Sequence, residues 1–290
     1  MESEMKIRFW GTRGLISAPN ISHRKYGGNT TCIQIKYKEH LIILDTGFGV
    51  SNLGEHLMKS WSPGSTPLEI HILFSHFHWD HIQGLPFFHP IYFPKNKLNL
   101  YSPFDAKYMH SNLDFLFDGS YSPFAGINSM PSTINFISIT DKLTIDEMEV
   151  TFCETNHGRR ASEPDFKDPS CFAYKFTLNN KSATIATDHE ASDEELNQPF
   201  IQFAKNSDVL VHDAQFTQKE YSSHVGWGHS SVNQAMMNAK NSNVGTCILT
   251  HHDPRRSDND IERIYNELNN NESSSPRFYF AQEEVDYTVG

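Results

Sequence analysis

Between Ser75 and His81 the chain reads Ser-His-Phe-His-Trp-Asp-His, so His76, His78, Asp80 and His81 bring four metal-binding side chains into six consecutive positions. His76 and His78 are two apart. In an extended segment they face the same way and can chelate one ion. Asp80 and His81 lie past a turn and can face a second. Imidazole and carboxylate suit zinc, manganese or iron. No cysteine is near, which excludes a cysteine-rich structural zinc site. Without a metal, burying this group would leave several polar atoms unsatisfied.

One loop cannot complete such a site. The apolar run Leu68–Phe74 predicts a buried strand, which puts the cluster at a strand's carboxyl end. Three other strand-like runs also end in His or Asp. Val150–Thr155 leads to His157, Ser182–Thr187 to Asp188, and Cys247–Thr250 to His251 and His252. Their convergence at one sheet edge would build a two-metal site.

With these residues in order, the chain resembles the metallo-β-lactamase fold superfamily of metal hydrolases over nearly its whole length. Leu44-Asp45-Thr46-Gly47 matches the early aspartate motif. The resemblance implies an α+β fold, a four-layer αβ/βα sandwich. It implies two divalent ions, zinc first, with manganese or iron as alternatives. His76, His78 and His157 would hold one. Asp80, His81 and His251 would hold the other, with Asp188 bridging and a metal-bound hydroxide as nucleophile. His251 is preferred to His252 because it directly follows its strand. Asp45 is expected to order the site rather than bind metal.

Further segments look like the phosphodiesterase branch. They are Gly11-Thr12-Arg13-Gly14, Gly27-Gly28-Asn29-Thr30-Thr31, His212-Asp213-Ala214-Gln215 and Gly228-His229-Ser230-Ser231. The last is similar to the Gly-His-Ser-Thr segment of tRNA 3′-processing endonucleases and phosphoribosyl cyclic phosphodiesterases, whose histidine acts near the scissile phosphate. Asp80 and His229 are therefore the expected catalytic residues. Arg13, Arg159 and His212 are candidate substrate contacts. A surface position beside a helix N-cap is the alternative for His229, and a solvated turn or loop for Arg13 and Arg159. His212 and Asp213 are expected to support the site or line its pocket rather than bind metal.

The resemblance implies hydrolysis of a small cyclic phosphate or phosphodiester, such as a cyclic nucleotide or phosphoribosyl cyclic phosphate. Cleavage at tRNA 3′ ends is the first alternative. The short interval between His157 and Asp188 leaves no room for the long arm of many such endonucleases. Lactone or thioester hydrolysis uses the same metals. A non-catalytic scaffold would be expected to have lost ligands.

The chain has 290 residues and a formal net charge of −11. All motifs belong to one site, so a single domain over 1–290 is expected. Arg159-Arg160 and Arg255-Arg256 are short basic runs, not the broad basic face of a polyanion binder. Cys32, Cys153, Cys171 and Cys247 form no C-x-x-C pair and read as small buried residues. The acidic start is no signal peptide, and no apolar run approaches the roughly 20 residues of a membrane span. A cytoplasmic protein is expected, and similar phosphodiesterases imply a homodimer.

Strands are predicted at Lys6–Trp10, Thr31–Tyr37, Leu41–Leu44, Ile134–Ile139, Glu149–Cys153, Cys171–Leu178, Lys181–Ala186, Asp208–Val211, Cys247–Thr250 and Phe278–Phe280. Helices are predicted over Asn52–Ser60 with Ser51 as its cap, Asp105–Phe117, Asp193–Lys205, Ser230–Lys240 and Asn259–Asn269. Loops are expected at Trp61–Pro67 and Ser120–Pro131, a helical turn at Gly84–Phe88, and a polar linker at Asn269–Ser275. The aromatic-rich stretch Phe87–Phe136 reads as core. Phe104, Tyr108, Phe115, Phe117 and Tyr121 are alternative base-stacking or interface residues. Helices alternating with mixed strands predict a β-sandwich covered on both outer faces.

Overall fold

Strands that bury apolar side chains on both faces need a partner layer on each side. In β4 (Glu69–Leu73), Ile70 and Ile72 enter one core and Leu73 another. The computed structural model describes residues 4–59, 65–157, 170–192, 194–269 and 276–290. Its elements before β4 are β1 (Lys6–Gly11), β2 (Cys32–Tyr37), β3 (His40–Leu44) and α1 (Gly49–Lys59). After it come α2 (Trp79–Ile82), β5 (Lys97–Ser102), α3 (Ala106–Asp114), β6 (Thr133–Ser138), β7 (Leu143–Ile145) and β8 (Met148–Thr155). Then follow β9 (Cys171–Leu178), β10 (Lys181–Ala186), α4 (Glu194–Ala204), β11 (Val209–Asp213), α5 (Gln218–Tyr221) and α6 (Val232–Asn241). The chain closes with β12 (Thr246–Thr250), α7 (Asp258–Asn269), β13 (Arg277–Phe280) and β14 (Asp286–Thr288).

The strands form two mixed sheets, ordered β14-β1-β2-β3-β4-β5-β6 and β13-β12-β11-β10-β9-β8-β7. Their facing sides share one core, where Ile7, Ile33 and Leu44 meet Val150, Phe176, Ile185, Val211 and Ile248. A second core lies between the first sheet and its helices, with Ile43, Ile72 and Leu100 against Leu53 and Met109. A third joins Leu210 and Leu249 to Phe200, Ala235 and Ile261. The result is the expected α+β sandwich with helices outside both sheets.

The departures from expectation are local. Ser51 does not cap α1. The helix begins earlier, at Gly49, and the Ser51 hydroxyl donates to the carbonyl of Phe48 just before it. β5 lies unpredicted in the aromatic-rich stretch. It pairs in parallel with β4 and β6, so no hairpin turn marks its ends. β7 is only three residues long and was also not predicted. Asp105 caps α3, accepting from the backbone of Lys107 and Tyr108, and a 3-10 turn at Phe115–Phe117 extends the helix. The Ser120–Pro131 loop contains a short 3-10 turn at Ile127–Ser129. Phe117 is core, whereas Phe104 and Tyr108 pack on Phe77. Phe115 and Tyr121 stay exposed and pair with each other. The first part of the Trp61–Pro67 loop, Asp193 and most of the Asn269–Ser275 linker lie outside the described residues. Among those described, no helix is long and apolar enough to cross a membrane.

Candidate metal centre

Strand polarity gathers the chemistry at one edge. β3 runs parallel to β4 with Leu44 opposite Leu73, so Asp45 and Ser75-His76 emerge side by side. β10, β11 and β12 are parallel, with Ala186 opposite His212 and Asp213 opposite Thr250. Asp188, Asp213 and His251 therefore leave neighbouring strand ends. β8 and β10 are both antiparallel to β9, so His157 leaves β8 at the same edge.

There the side chains form contiguous groups whose ligand atoms lie within 4.8 Å of one another. They are His76, His78 and His157; His76, His81 and Asp188; Asp80, His81 and His251; and His157, Asp188 and His229. Asp188 faces both sides. Its Oδ1 lies 3.2 Å from His81 Nε2 and 3.5 Å from His251 Nδ1. Its Oδ2 lies 3.5 Å from His157 Nε2 and 3.9 Å from His76 Nε2. His157 Nε2 and His78 Nδ1 meet at 2.9 Å, a contact that requires a proton on one of them or a shared cation.

The outward ring nitrogens are engaged. Asp45 Oδ2 lies 2.8 Å from His81 Nδ1 and accepts from the Ser75 hydroxyl at 2.7 Å, while its Oδ1 accepts from the Ser75 amide. His76 Nδ1 sits 3.0 Å from Ser75 Oγ, and His157 Nδ1 donates to the Gly228 carbonyl at 2.9 Å. Four of the inward atoms have no such partner. His76 Nε2, His81 Nε2, His251 Nε2 and Asp188 Oδ1 are buried with no hydrogen-bond partner. Orphaned buried polar atoms are costly. Imidazoles with one nitrogen anchored and the other converging with carboxylates on a common space fit a divalent metal.

The electrostatics agree. Burial pushes His157 down to about 3, leaving a neutral imidazole able to ligate. Burial also disfavours the charged form of His81, but Asp188, Asp80 and Asp45 together outweigh it and hold this imidazole well above its usual range. The carboxylates thus call for positive charge at the centre. For His229, burial is again opposed, here by the charge and hydrogen bond of Asp213, and the imidazole rises to about 9.

Gly14 shows how closely the backbone approaches. A Cβ built there would lie 2.3 Å from His251 Nε2. The next residue, Leu15, donates its amide to Asp80 Oδ2 at 2.8 Å. Gly14→Ala is therefore expected to displace His251 and weaken metal binding by at least about 10–100-fold, with the far-ultraviolet circular dichroism unchanged. Chelator competition measures this, and unaltered affinity would refute the crowding.

Two of the three candidate substrate contacts do not face the site. Arg13 is wholly buried, and its guanidinium donates to the carbonyls of Gly27, Asp253 and Arg256 at 2.7, 3.1 and 2.7 Å. It ties the first glycine-rich loop to the segment after His251. His212 is buried under α4 and α6, its ring 5.4 Å from Phe200 and its Nε2 3.0 Å from Asn238 Nδ2. Burial drives it to about 3, so it is a neutral packing residue. Arg159, with Arg160, lies outside the described residues. His252 turns away, its Nε2 3.0 Å from the Ala281 carbonyl, whereas His251 belongs to the cluster.

Two supporting residues escaped the sequence reading in their particular roles. Asp213 pairs with His229, its Oδ2 2.9 Å from Nδ1. Glu190 is buried and accepts from the amides of Gly226 and Gly228. Its proximity to Asp188 was the one available signal.

Residues 40–252 match the family model described as a beta-lactamase superfamily domain. Ribonuclease Z of Staphylococcus epidermidis is 30% identical over 82 residues, which cover 28% of this chain and 26% of that protein's length. Ribonuclease Z of Thermoplasma volcanium is 26% identical, covering 89% of this chain and 90% of that one. Among solved structures, the metallo-beta-lactamase fold protein YhfI from Bacillus subtilis superposes with a TM-score of 0.70 at 18% identity, covering 99% of each chain. A diphosphatase from the PhnP family gives 0.67 at 15% identity, covering 98% of this chain and 97% of that one. The short form of human tRNase Z gives 0.65 at 14% identity, covering 98% and 99%. At these identities the superpositions establish the fold.

Proposed function

The chain belongs to the beta-lactamase superfamily and has the metallo-β-lactamase hydrolase fold, and from that premise we propose that it is a metal-dependent phosphodiesterase. Its substrate is a small cyclic phosphate or phosphodiester, of the cyclic nucleotide or phosphoribosyl cyclic phosphate kind. The observation that carries the reading is the set of unpartnered buried atoms on His76, His81, His251 and Asp188, bordered by the His229–Asp213 pair. His76, His78 and His157 would hold one divalent ion and Asp80, His81 and His251 the other, with Asp188 shared. When bound, such ions lower the pKa of water and neutralise charge on phosphoryl oxygens.

The protein's own residues do the rest. Asp45 holds His81, and Gly228 holds His157, each with one ring nitrogen turned inward. Asp213 keeps His229 protonated and oriented through Nδ1, leaving Nε2 to donate a proton to the departing alkoxide. His229→Ala is expected to lower kcat by about 10²–10⁴-fold, the usual range for a general acid, with metal content intact. An aryl diester with a good leaving group should lose much less. Equal losses on good and poor leaving groups would remove the proton-donor role.

A second reading, cleavage of precursor tRNA at its 3′ end, is favoured by the relatives named ribonuclease Z. Against it stand the net charge of −11 and the commitment of three arginines among the described residues. Arg13 is buried, Arg255 pairs with Asp253, and Arg256 pairs with Glu220 and the Gln215 carbonyl. These arginines supply no free basic patch for a polyanion. A panel of 3′,5′- and 2′,3′-cyclic nucleotides, phosphoribosyl cyclic phosphate, an aryl diester, a lactone and a precursor tRNA on metal-loaded protein decides between them. Preference for the tRNA or the lactone would replace the small-diester reading.

A further inference from the structure

Glu190 is buried two residues beyond Asp188, and both its backbone and its side chain are committed. Its amide donates to the Asn156 carbonyl at 2.7 Å, and its carbonyl accepts from Asn156 Nδ2 at 2.8 Å. Its carboxylate is met by three donors. Oε1 accepts from the Tyr221 hydroxyl at 2.6 Å and the Gly226 amide at 2.8 Å, and Oε2 accepts from the Gly228 amide at 2.8 Å. Gly226 and Gly228 have φ of +83° and +84°, in the left-handed region that favours glycine. The Gly228 carbonyl in turn accepts from His157 Nδ1.

This is a closed circuit. On one side Glu190 is joined to Asn156, the residue before His157. On the other it holds Gly228, the residue whose carbonyl sets the His157 ring. Resting on the two-metal reading above, we propose that Glu190 is a positioning residue for His157, so that retention of the metal on the His76–His78–His157 side depends on it selectively. Among the described residues, no hydrogen bond joins Asp80, His81 or His251 to this circuit; Asp80 is met by Leu15, His81 by Asp45 and His251 by Thr31.

The chemistry of the side chain makes the inference sharp. A carboxylate offers acceptors on both oxygens, whereas an amide offers one oxygen and one donor group. In Glu190→Gln the amide nitrogen must face either the Gly228 amide or the Tyr221 and Gly226 donors. At least one arm of the circuit is lost. Tyr221→Phe removes only the hydroxyl arm and leaves both glycine amides bonded.

The test is a titration of metal-free protein with cobalt(II), read by visible absorption and by competition with a chelator. Wild type is expected to take up two equivalents. Glu190→Gln is expected to weaken one by about 10–100-fold and shift its absorption band, leaving the other unchanged, as is usual when a partner of a ligand is lost. Tyr221→Phe should stay close to wild type. If the Gln variant does not fold, Glu190→Asp carries the same expectation, because its shortened carboxylate cannot span all three donors. Equal weakening of both equivalents, no weakening, or an equal loss in Tyr221→Phe overturns the proposal. Wild type binding no cobalt would defeat the metal-centre reading itself, a result distinct from wild type and Glu190→Gln binding cobalt alike.

Discussion

Asp188→Asn is expected to abolish stable metal binding on both sides of the centre and to lower kcat/KM by more than about 10³-fold, the upper scale of losing one preorganised electrostatic contact. The substitution keeps the shape of the side chain and removes only its charge. Among the described residues, Asp188 is the carboxylate whose oxygens divide between the two groups, Oδ1 toward His81 and His251 and Oδ2 toward His76 and His157. Burial alone would raise its pKa, but His251, His81 and His157 outweigh it and hold the carboxyl well below the usual range. An amide offers one neutral oxygen where the site needs two charged ones, and its NH₂ would meet imidazole nitrogens that must stay free for metal. Metal content by mass spectrometry and steady-state kinetics measure the outcome. An Asn variant that keeps its metal and its rate would show that Asp188 merely packs there.

Arg13→Ala is expected to destabilise the fold by at least about 3 kcal/mol, because it strands buried carbonyls that each cost about 1–3 kcal/mol when unpaired. Those carbonyls belong to Gly27 and, more than 200 residues further on, to Asp253 and Arg256, and one guanidinium gathers them. Arg13→Lys should restore only part of the loss, since one ammonium cannot reproduce the planar fork. Urea unfolding should show a lower midpoint with an unchanged slope. The alternative role, a phosphate contact, makes the opposite forecast of a raised KM at unaltered stability.

The seven residues His76, His78, Asp80, His81, His157, Asp188 and His251 were legible as candidates because their signal is local. A two-residue spacing and the end of an apolar strand are properties of short segments. Parallel strand order then carries those ends to one edge. The same logic made most strands readable, since their near-continuous apolar runs reflect burial on both faces. β5 was not readable, because its pairing partners are parallel strands reached through long connections and no turn announces it.

The glycine-rich loop at Gly11–Gly14 shows the other case. Its sequence invites a phosphate, but its use is internal. Gly14 makes room for His251, Leu15 bonds Asp80, and Arg13 clamps distant carbonyls. His212 and Asp213 are adjacent on β11 with opposite fates, because alternation turns one beneath the helices and the other toward His229.

Short stretches of sequence already point to imidazole and carboxylate side chains at the strand ends of a helix-covered sandwich. Chelate spacing and two-faced apolar strands need no distant partner to be recognised. It took the folded chain to place His251 rather than His252 in the cluster, Asp213 beside His229, and the Arg13 and Glu190 side chains among distant backbone groups. A hydrogen bond is defined by its partner, and these partners lie in distant segments of the chain, where spacing along it carries no information about which atoms meet.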